Sequence, residues 1–196
     1  MLILMEDFIS LVTIFIIVLS LFIYYESKYT NIIYIKSELD NKMYLVRNLP
    51  DKQKAANLLS KIKQRLTKLT KYLDLKNHDD PRVKRLVNRY QPDNIRESEP
   101  DSKYTSYSVN KGEKIVFCIR SKDKKKNLVD INLIMFVALH ELAHVMSSSI
   151  GHTEEFWDNF RYLLKKAIEI NIYRKHDFQK KPRKYCGTKI TDSPLK

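Results

Sequence analysis

The stretch LVDINLIMFVALHELAHVM, residues 128–146, decides the fold of this chain. Apolar residues occur on nearly every side of a helix drawn through it. A helix that is apolar all round is typically buried in the centre of a domain. We therefore predict that this stretch is the central helix, and that the other elements pack around it.

Within this helix, His140, Glu141 and His144 form an HExxH motif. Residues four apart share a helix face, so both imidazoles can reach one metal ion at about 2.0–2.1 Å. Glu141 lies one step round the helix and can take a proton from metal-bound water, the pattern of zinc peptidases. The alternative is two packed core histidines, but each unpaired polar group buried there costs about 1–3 kcal/mol. The apolar surroundings therefore favour a zinc site.

A third ligand is needed, because catalytic zinc sites usually keep three protein ligands and one open position. His152 follows the helix break at residues 147–151, where the chain can return toward the first two histidines. Glu154, Glu155 and Asp158 are the alternatives. Acidic residues in the first turn of the next helix are already explained by its dipole, so we expect His152.

The flanking segments predict an α+β arrangement. Apolar periodicity predicts helices from Ala55 to Leu73, from Pro81 to Tyr90 and after Thr153, which is a plausible N-cap. Two strands, residues 104–109 and 114–120, are joined by a turn at 110–113. We expect a polar connector over 26–48, a loop over 91–103 and a basic tail from Arg174.

Residues 8–25, FISLVTIFIIVLSLFIYY, contain no charge and approach the length of about 20 residues that crosses a bilayer. A cleavable signal peptide would need a basic start, and Glu6 and Asp7 stand there instead. A buried core helix is the other alternative. We predict a short flank over 1–7 and a retained transmembrane anchor over 8–25.

The basic residues Lys28, Lys36, Lys42 and Arg47 follow the anchor, and none precedes it. The positive-inside rule then predicts that the main domain lies on the cytosolic side. Three tyrosines are expected at one membrane interface: Tyr24, Tyr25 and Tyr29.

The net charge of +13 and pI near 9.6 suit solvated lysine faces, an anionic membrane surface or nucleic acid. The two cysteines, Cys118 and Cys186, have no metal-ligand spacing, and a small secreted domain would usually carry more. We expect Cys118 to be a buried small hydrophobe and the pair to fit a reducing compartment.

HELAH (140–144) followed by GHTEEFW (151–157) resembles the WLM and SprT-like group of minimal zinc metallopeptidases. The resemblance covers about residues 105–194. It implies a zincin-like domain with His140, His144 and His152 as ligands and Glu141 as base. Phe156 and Trp157 match the packing residues of the motif. The stretches TSYSVNKGEKIVFCIR and YCGTKITDSP are similar to membrane-anchored members from giant DNA viruses.

One departure from the family pattern concerns the third histidine. Six steps commonly separate the second and third histidines, and here there are eight, so Ser147, Ser148 and Ser149 would have to loop out. The nucleic-acid-binding extensions of some relatives are absent from the sequence, so DNA-linked substrates are not implied.

We therefore expect a minimal zincin-like metallopeptidase domain over 49–196 that hydrolyses peptide bonds in a protein or peptide substrate. The substrate is expected to pair with the strand from Lys114 to Arg120. Two alternatives are a membrane-tethered interaction protein with a structural or lost zinc and a nucleic-acid-associated peptidase. Three tyrosines are candidates for stabilising the oxyanion: Tyr162, Tyr173 and Tyr185.

Overall fold

Within residues 2–29 and 31–195, which this computed structural model describes, the chain forms five helices and seven strands. Side chains are described for residues 8–25 and 31–195. The expected flank over 1–7 and the side chains of Lys28 and Tyr29 therefore fall outside the described side chains. The helices are α1 (Leu2–Tyr29), α2 (Lys52–Asn77), α3 (Pro81–Arg89), α4 (Ile131–Met146) and α5 (Glu154–Glu169). The strands are β1 (Ile32–Lys36), β2 (Met43–Arg47), β3 (Ile95–Glu97), β4 (Tyr107–Val109), β5 (Lys114–Phe117), β6 (Arg183–Tyr185) and β7 (Thr188–Ile190).

Helix α1 contains an uninterrupted apolar window, Phe8–Tyr25, with a mean hydropathy of 2.5. None of that window is buried against the rest of the chain, which excludes the alternative of a core helix. Its length and composition suit a membrane span and a signal sequence alike.

Helix α2 confirms the helix that apolar periodicity predicted from Ala55 to Leu73. Seven of its apolar residues recur at helical spacing and are fully buried: Ala55, Ala56, Leu59, Ile62, Leu66, Leu69 and Leu73. Asp51 occupies the N-cap position, but its carboxylate accepts no helix amide. It pairs instead with the guanidinium of Arg120, at 2.6 Å.

The segment expected as a polar connector is a β-hairpin. β1 and β2 pair antiparallel around a turn at Asp40 and Asn41, where Asn41 has a φ of 57°. Tyr44 and Val46 are buried against the domain. The signal was present as two runs of β-branched and aromatic residues on either side of a turn. The folded unit therefore begins at the hairpin and not at residue 49.

The central sheet has the order β3-β5-β4, with β3 parallel and β4 antiparallel to β5. β3 lies inside the segment 91–103, which was expected to be a loop. The sequence did not predict this strand, because three residues carry too little periodicity and their partner strand lies 20 positions away. β5 is the middle strand, so the prediction that Lys114–Arg120 is an edge for substrate was wrong. β3 and β4 are the two edge strands of this sheet, and β4 is the one that lies beside α4.

The turn between β4 and β5 depends on one glycine. Gly112 has a φ of +113°, and a Cβ there would lie 2.7 Å from the carbonyl oxygen of Arg89 and 2.7 Å from Val145. A larger residue is excluded both by conformation and by the close approach of α3 and α4. The turn thereby fixes β4 beside the active-site helix.

Helices α4 and α5 form the layer that carries the motif. The carboxylate of Asp130 caps α4 by accepting from the amides of Asn132 and Leu133, and the Thr153 side chain caps α5, as expected. Twelve of the sixteen residues of α4 are buried, which confirms the central helix.

The basic tail contains a second hairpin, β6–β7, and Cys186 in its turn is joined to Cys118 by a disulfide. The two Cα atoms are 6.1 Å apart, although 68 positions separate them. Cys118 is buried as expected, but its bond to Cys186 does not agree with the expectation that the pair fits a reducing compartment. Sequence spacing alone does not reveal such a pairing, because tertiary folding brings the two segments together.

Candidate metal centre

Three imidazoles meet at the floor of a cleft. α4 places His140 and His144 one turn apart on one face, and the loop before α5 returns His152 toward them. One ring nitrogen from each lies within 4.8 Å of the others, and the Nε2 atoms of His140 and His152 are 3.0 Å apart. Tetrahedral zinc with bonds of about 2.0–2.1 Å holds neighbouring nitrogens about 3.3–3.4 Å apart. The spacing therefore fits a single zinc ion with little movement.

The surroundings keep His140 and His144 neutral, which is the form that binds a metal. Burial, followed by the neighbouring His144 and His152, lowers the pKa of His140 to about 3. Burial, followed by His152 and Lys111, lowers the pKa of His144 to about 4. At neutral pH no proton competes for these two positions.

Two aromatic residues orient the rings. Phe156 stacks on His144 with ring centres 4.3 Å apart and meets His140 edge-on at 4.8 Å. Trp157 lies against His152 at 5.7 Å. These contacts agree with the packing roles that the resemblance implies for the two residues.

Glu155 explains how the longer loop reaches the site. Its carboxylate accepts from the amides of Ser148 and Ser149, at 2.9 and 3.0 Å, and pairs with Arg85 at 3.1 Å. These amide hydrogen bonds lower its pKa to about 2. Glu155 therefore holds the looped-out serines and is not positioned as a ligand.

Two basic side chains bind the carbonyl oxygens of the same loop. Lys111 donates to the carbonyl oxygens of Ser147 and Ser149, and Arg89 donates to those of Val145 and Ser147. Positive charge at a helix C-terminus complements the helix dipole. The loop is thus held at both its amides and its carbonyls, which fixes the approach of His152.

The other acidic alternatives also lie outside the cluster. Asp158 pairs with Arg161 at 2.6 Å, and Glu154 is exposed on the first turn of α5. Among the residues that the structure describes, the converging group consists of the three histidines.

Glu141 is a buried carboxyl beside the histidines, with 5 % of its surface exposed. Burial raises its pKa to about 7, although a hydrogen bond from the backbone N–H of Ser108 opposes that shift. Ser108 belongs to β4, so the carboxyl faces the free edge of the sheet.

The cleft has a volume of about 990 Å³. β4 and the segment before it form one wall, α4 and α5 form the floor, and the tail after β6 forms the opposite wall. Tyr185 lines the cleft, whereas Tyr162 and Tyr173 do not. The sequence did not predict that the tail forms a wall of this cleft, although YCGTKITDSP in the tail was part of the family resemblance. The lining includes Ser106, Tyr107, Ser108, Phe136, Val137, Trp157, Phe160, Ile190 and Pro194.

Comparison with known proteins places these features in a family. The profile of the WLM domain matches residues 38–195. An uncharacterized protein of Acanthamoeba polyphaga mimivirus is 42% identical over 167 residues, covering 83% of this chain and 84% of that protein. An uncharacterized protein of Invertebrate iridescent virus 6 is 42% identical over 71 residues, covering 35% of this chain and 38% of that protein.

The fold is also similar to a crystal structure of a Wss1 mutant from Saccharomyces cerevisiae, with a TM-score of 0.50. The two are 23% identical, and the match covers 64% of this chain and 87% of the other. This likeness concerns the fold, an α+β arrangement with small sheets. Because the family profile spans most of the chain, this protein belongs to the WLM family and has relatives in giant DNA viruses.

Proposed function

We propose that this protein is a membrane-anchored zinc metallopeptidase that hydrolyses peptide bonds. His140, His144 and His152 hold the ion, and Glu141 is the general base. The observation that carries the proposal is the convergence of three imidazoles beside one buried carboxyl on the floor of an open cleft. A structural zinc site has no need of that carboxyl.

The donor set suits zinc rather than a hard cation, because the ligand atoms that converge among the described side chains are three imidazole nitrogens. Three protein ligands leave one position for water or substrate. When bound, zinc would polarise the substrate carbonyl and lower the pKa of a water molecule to about 7.

Glu141 is suited to move the proton. A base works best when its pKa lies near the working pH, and burial raises that of Glu141 toward neutrality. The carboxylate would take a proton from the attacking water and deliver it to the leaving amine. The backbone N–H of Ser108 in β4 favours the ionised form of this carboxyl, which is the form that accepts a proton.

The substrate backbone is proposed to pair with β4. Among the described strands, none lies beside the outer edge of β4, which lines the cleft. An extended peptide can add to such an edge through main-chain hydrogen bonds. Phe160 on the floor and Ile190 and Pro194 on the opposite wall give the cleft apolar lining, beside the polar Thr188, Asp192 and Ser193. An extended segment with an apolar side chain next to the scissile bond fits this cleft.

The anchor is proposed to be α1, over residues 8–25. Its side chains are exposed along the whole window, and exposed apolar surface of that extent is unfavourable in water. By the positive-inside rule, the basic flank favours the cytosolic side for the domain, whereas the Cys118–Cys186 disulfide is typical of oxidising compartments.

Metal analysis of the full-length protein in detergent tests the proposal. We expect about one zinc per chain, lost in His140→Ala because a ligand is removed. His78→Ala is the matched control, since His78 is exposed and pairs with Asp74 on α2. A peptide library with the zinc-loaded protein then identifies a substrate. Stoichiometric zinc in His140→Ala, or no cleavage by wild type, would contradict the proposal.

A further inference from the structure

The hydroxyl of Tyr185 is a polar group in the cleft to which the proposed function assigns no role. The residue is 3% exposed and lines the same cavity as His140 and Glu141. Its oxygen lies 2.7 Å from the hydroxyl oxygen of Ser106. Ser106 precedes β4, the proposed substrate strand.

The hydrogen bonds around Ser106 decide what the Tyr185 proton can do. The Ser106 oxygen accepts from the backbone N–H of Cys118 at 3.1 Å. A serine hydroxyl has one proton and two lone pairs. When Ser106 donates its proton to the Tyr185 oxygen, the Tyr185 proton is released from this pair and can be donated into the cleft.

A disulfide bond next to Tyr185 attaches its hairpin to the rest of the domain. β6 and β7 pair only with each other among the described strands, in a sheet separate from β3-β5-β4. The disulfide joins Cys186, the neighbour of Tyr185, to Cys118, whose amide binds Ser106. The disulfide connects Tyr185 to Cys118 through Cys186, and the two hydrogen bonds of Ser106, which lines the cleft, connect the same two residues.

We propose that Tyr185 is a catalytic hydrogen-bond donor to the substrate carbonyl oxygen as it gains negative charge, and that the Cys118–Cys186 disulfide positions it. This inference rests on the proposed peptidase function. The phenol keeps its proton throughout and transfers none. Burial raises the pKa of Tyr185 well above its usual range, so the phenol stays a donor at neutral pH.

The first experiment compares Tyr185→Phe with wild type, both full-length and loaded with zinc. Loss of one oxyanion donor costs about 10²–10³-fold in kcat. We expect a loss of that size with unchanged zinc content and a KM within a few fold. Tyr162→Phe is the matched control, because Tyr162 lies outside the cleft and its hydroxyl has no hydrogen-bond partner. Full activity in Tyr185→Phe overturns the inference.

The second experiment separates positioning from general stability. A phosphine gives two electrons to the disulfide and becomes the phosphine oxide, while one water molecule supplies the oxide's oxygen and the protons of the two thiols. We expect this treatment to lower the kcat of wild type toward that of Tyr185→Phe, and to change the variant little. The Cys118→Ser/Cys186→Ser variant should match reduced wild type. Multiplicative losses from reduction and Tyr185→Phe would show that the disulfide does not act through this tyrosine.

Two measurements do not depend on turnover. Hydrogen exchange over residues 183–190 should accelerate on reduction, while exchange in α4 should stay slow. A phosphinic peptide, which mimics the tetrahedral carbon, should bind Tyr185→Phe more weakly than wild type, whereas the parent peptide binds both equally. A wild type that binds zinc but cleaves no peptide overturns the proposed function and this inference together. Cleavage at equal rates by wild type and Tyr185→Phe overturns the inference alone.

Discussion

Two glutamates near the metal centre illustrate how environment assigns a role to a side chain. Glu141 is buried with one amide hydrogen bond, and its pKa rises to about 7. Glu155 is held by two loop amides and Arg85, and its pKa falls to about 2. A proton acceptor near neutrality suits general-base chemistry, whereas a permanently ionised group suits an anchor.

Glu141→Gln is expected to keep zinc and lose activity. The amide has the same size but no basicity, so the rate should fall by about 10²–10⁴-fold. Zinc content and thermal unfolding of the full-length protein should match wild type. Cleavage at the wild-type rate would favour the membrane-tethered interaction protein over the peptidase.

His152→Ala is expected to weaken zinc binding strongly, because it removes one of three ligands from the site. Glu155→Ala should retain zinc, since its carboxylate binds loop amides and not the cluster. Competition with a fluorescent chelator measures both affinities. Loss of zinc in Glu155→Ala alone would reassign the third ligand to the acidic residue.

At the scale of elements, the loop between α4 and α5 is a short connection with an unusual density of hydrogen bonds. Glu155 binds its amides, while Lys111 and Arg89 bind its carbonyls. The charged groups come from three different elements. The two additional positions of this loop are therefore accommodated by ordered structure.

The stability contribution of Glu155 is expected to depend on pH. Because its folded pKa is lowered, the contribution is present above its ordinary value of 4.5 and is lost as pH falls toward about 2. Glu155→Gln should therefore be less stable than wild type at pH 7, and the difference should shrink by pH 3. Urea unfolding with a metal chelator present measures this. A difference that is constant with pH would contradict the loop-anchor role.

At the scale of the whole molecule, a buried ion cluster joins the N-terminal hairpin to the domain. Arg120 is 2% exposed and pairs with Glu97 at 2.7 Å and with Asp51 at 2.6 Å. Glu97 also accepts the backbone N–H of Arg47 in β2. The cluster therefore ties β2, β3, α2 and the chain after β5 together.

Arg120→Met is expected to destabilise the domain by about 3–5 kcal/mol, because it leaves the buried Glu97 without its partner. Lys84→Met is the control. Lys84 is half exposed and its 3.9 Å pair with Asp79 is on the surface, so the cost should be about 0–1 kcal/mol. Urea unfolding measures both, and equal effects would show that the cluster does not hold the hairpin.

Membrane topology is expected to follow the basic flank, with the domain on the cytosolic side. A glycosylation tag after Lys196 should stay unmodified in the secretory pathway, and alkaline carbonate should not extract the full-length chain. A glycosylated tag would show that the disulfide, and not the flank, reports the compartment. Extraction by carbonate would contradict the anchor.

The sequence by itself determined the features that depend on local periodicity. The spacing of His140 and His144 follows from helix geometry, so the shared face needed no tertiary information. The buried character of α4, the amphipathic face of α2 and the Thr153 cap are likewise local. The exposed apolar window of α1 is a property of composition.

Only the tertiary structure decided which distant groups meet. β3, which lies in the segment expected as a loop, and β4 pair with opposite sides of β5, so these two are the edge strands and β5 is not. Tyr185 alone of three candidate tyrosines lines the cleft, and Cys186 beside it meets Cys118 from 68 positions away. Such contacts depend on how separate elements pack, and periodicity within one element carries no information about its neighbours in space.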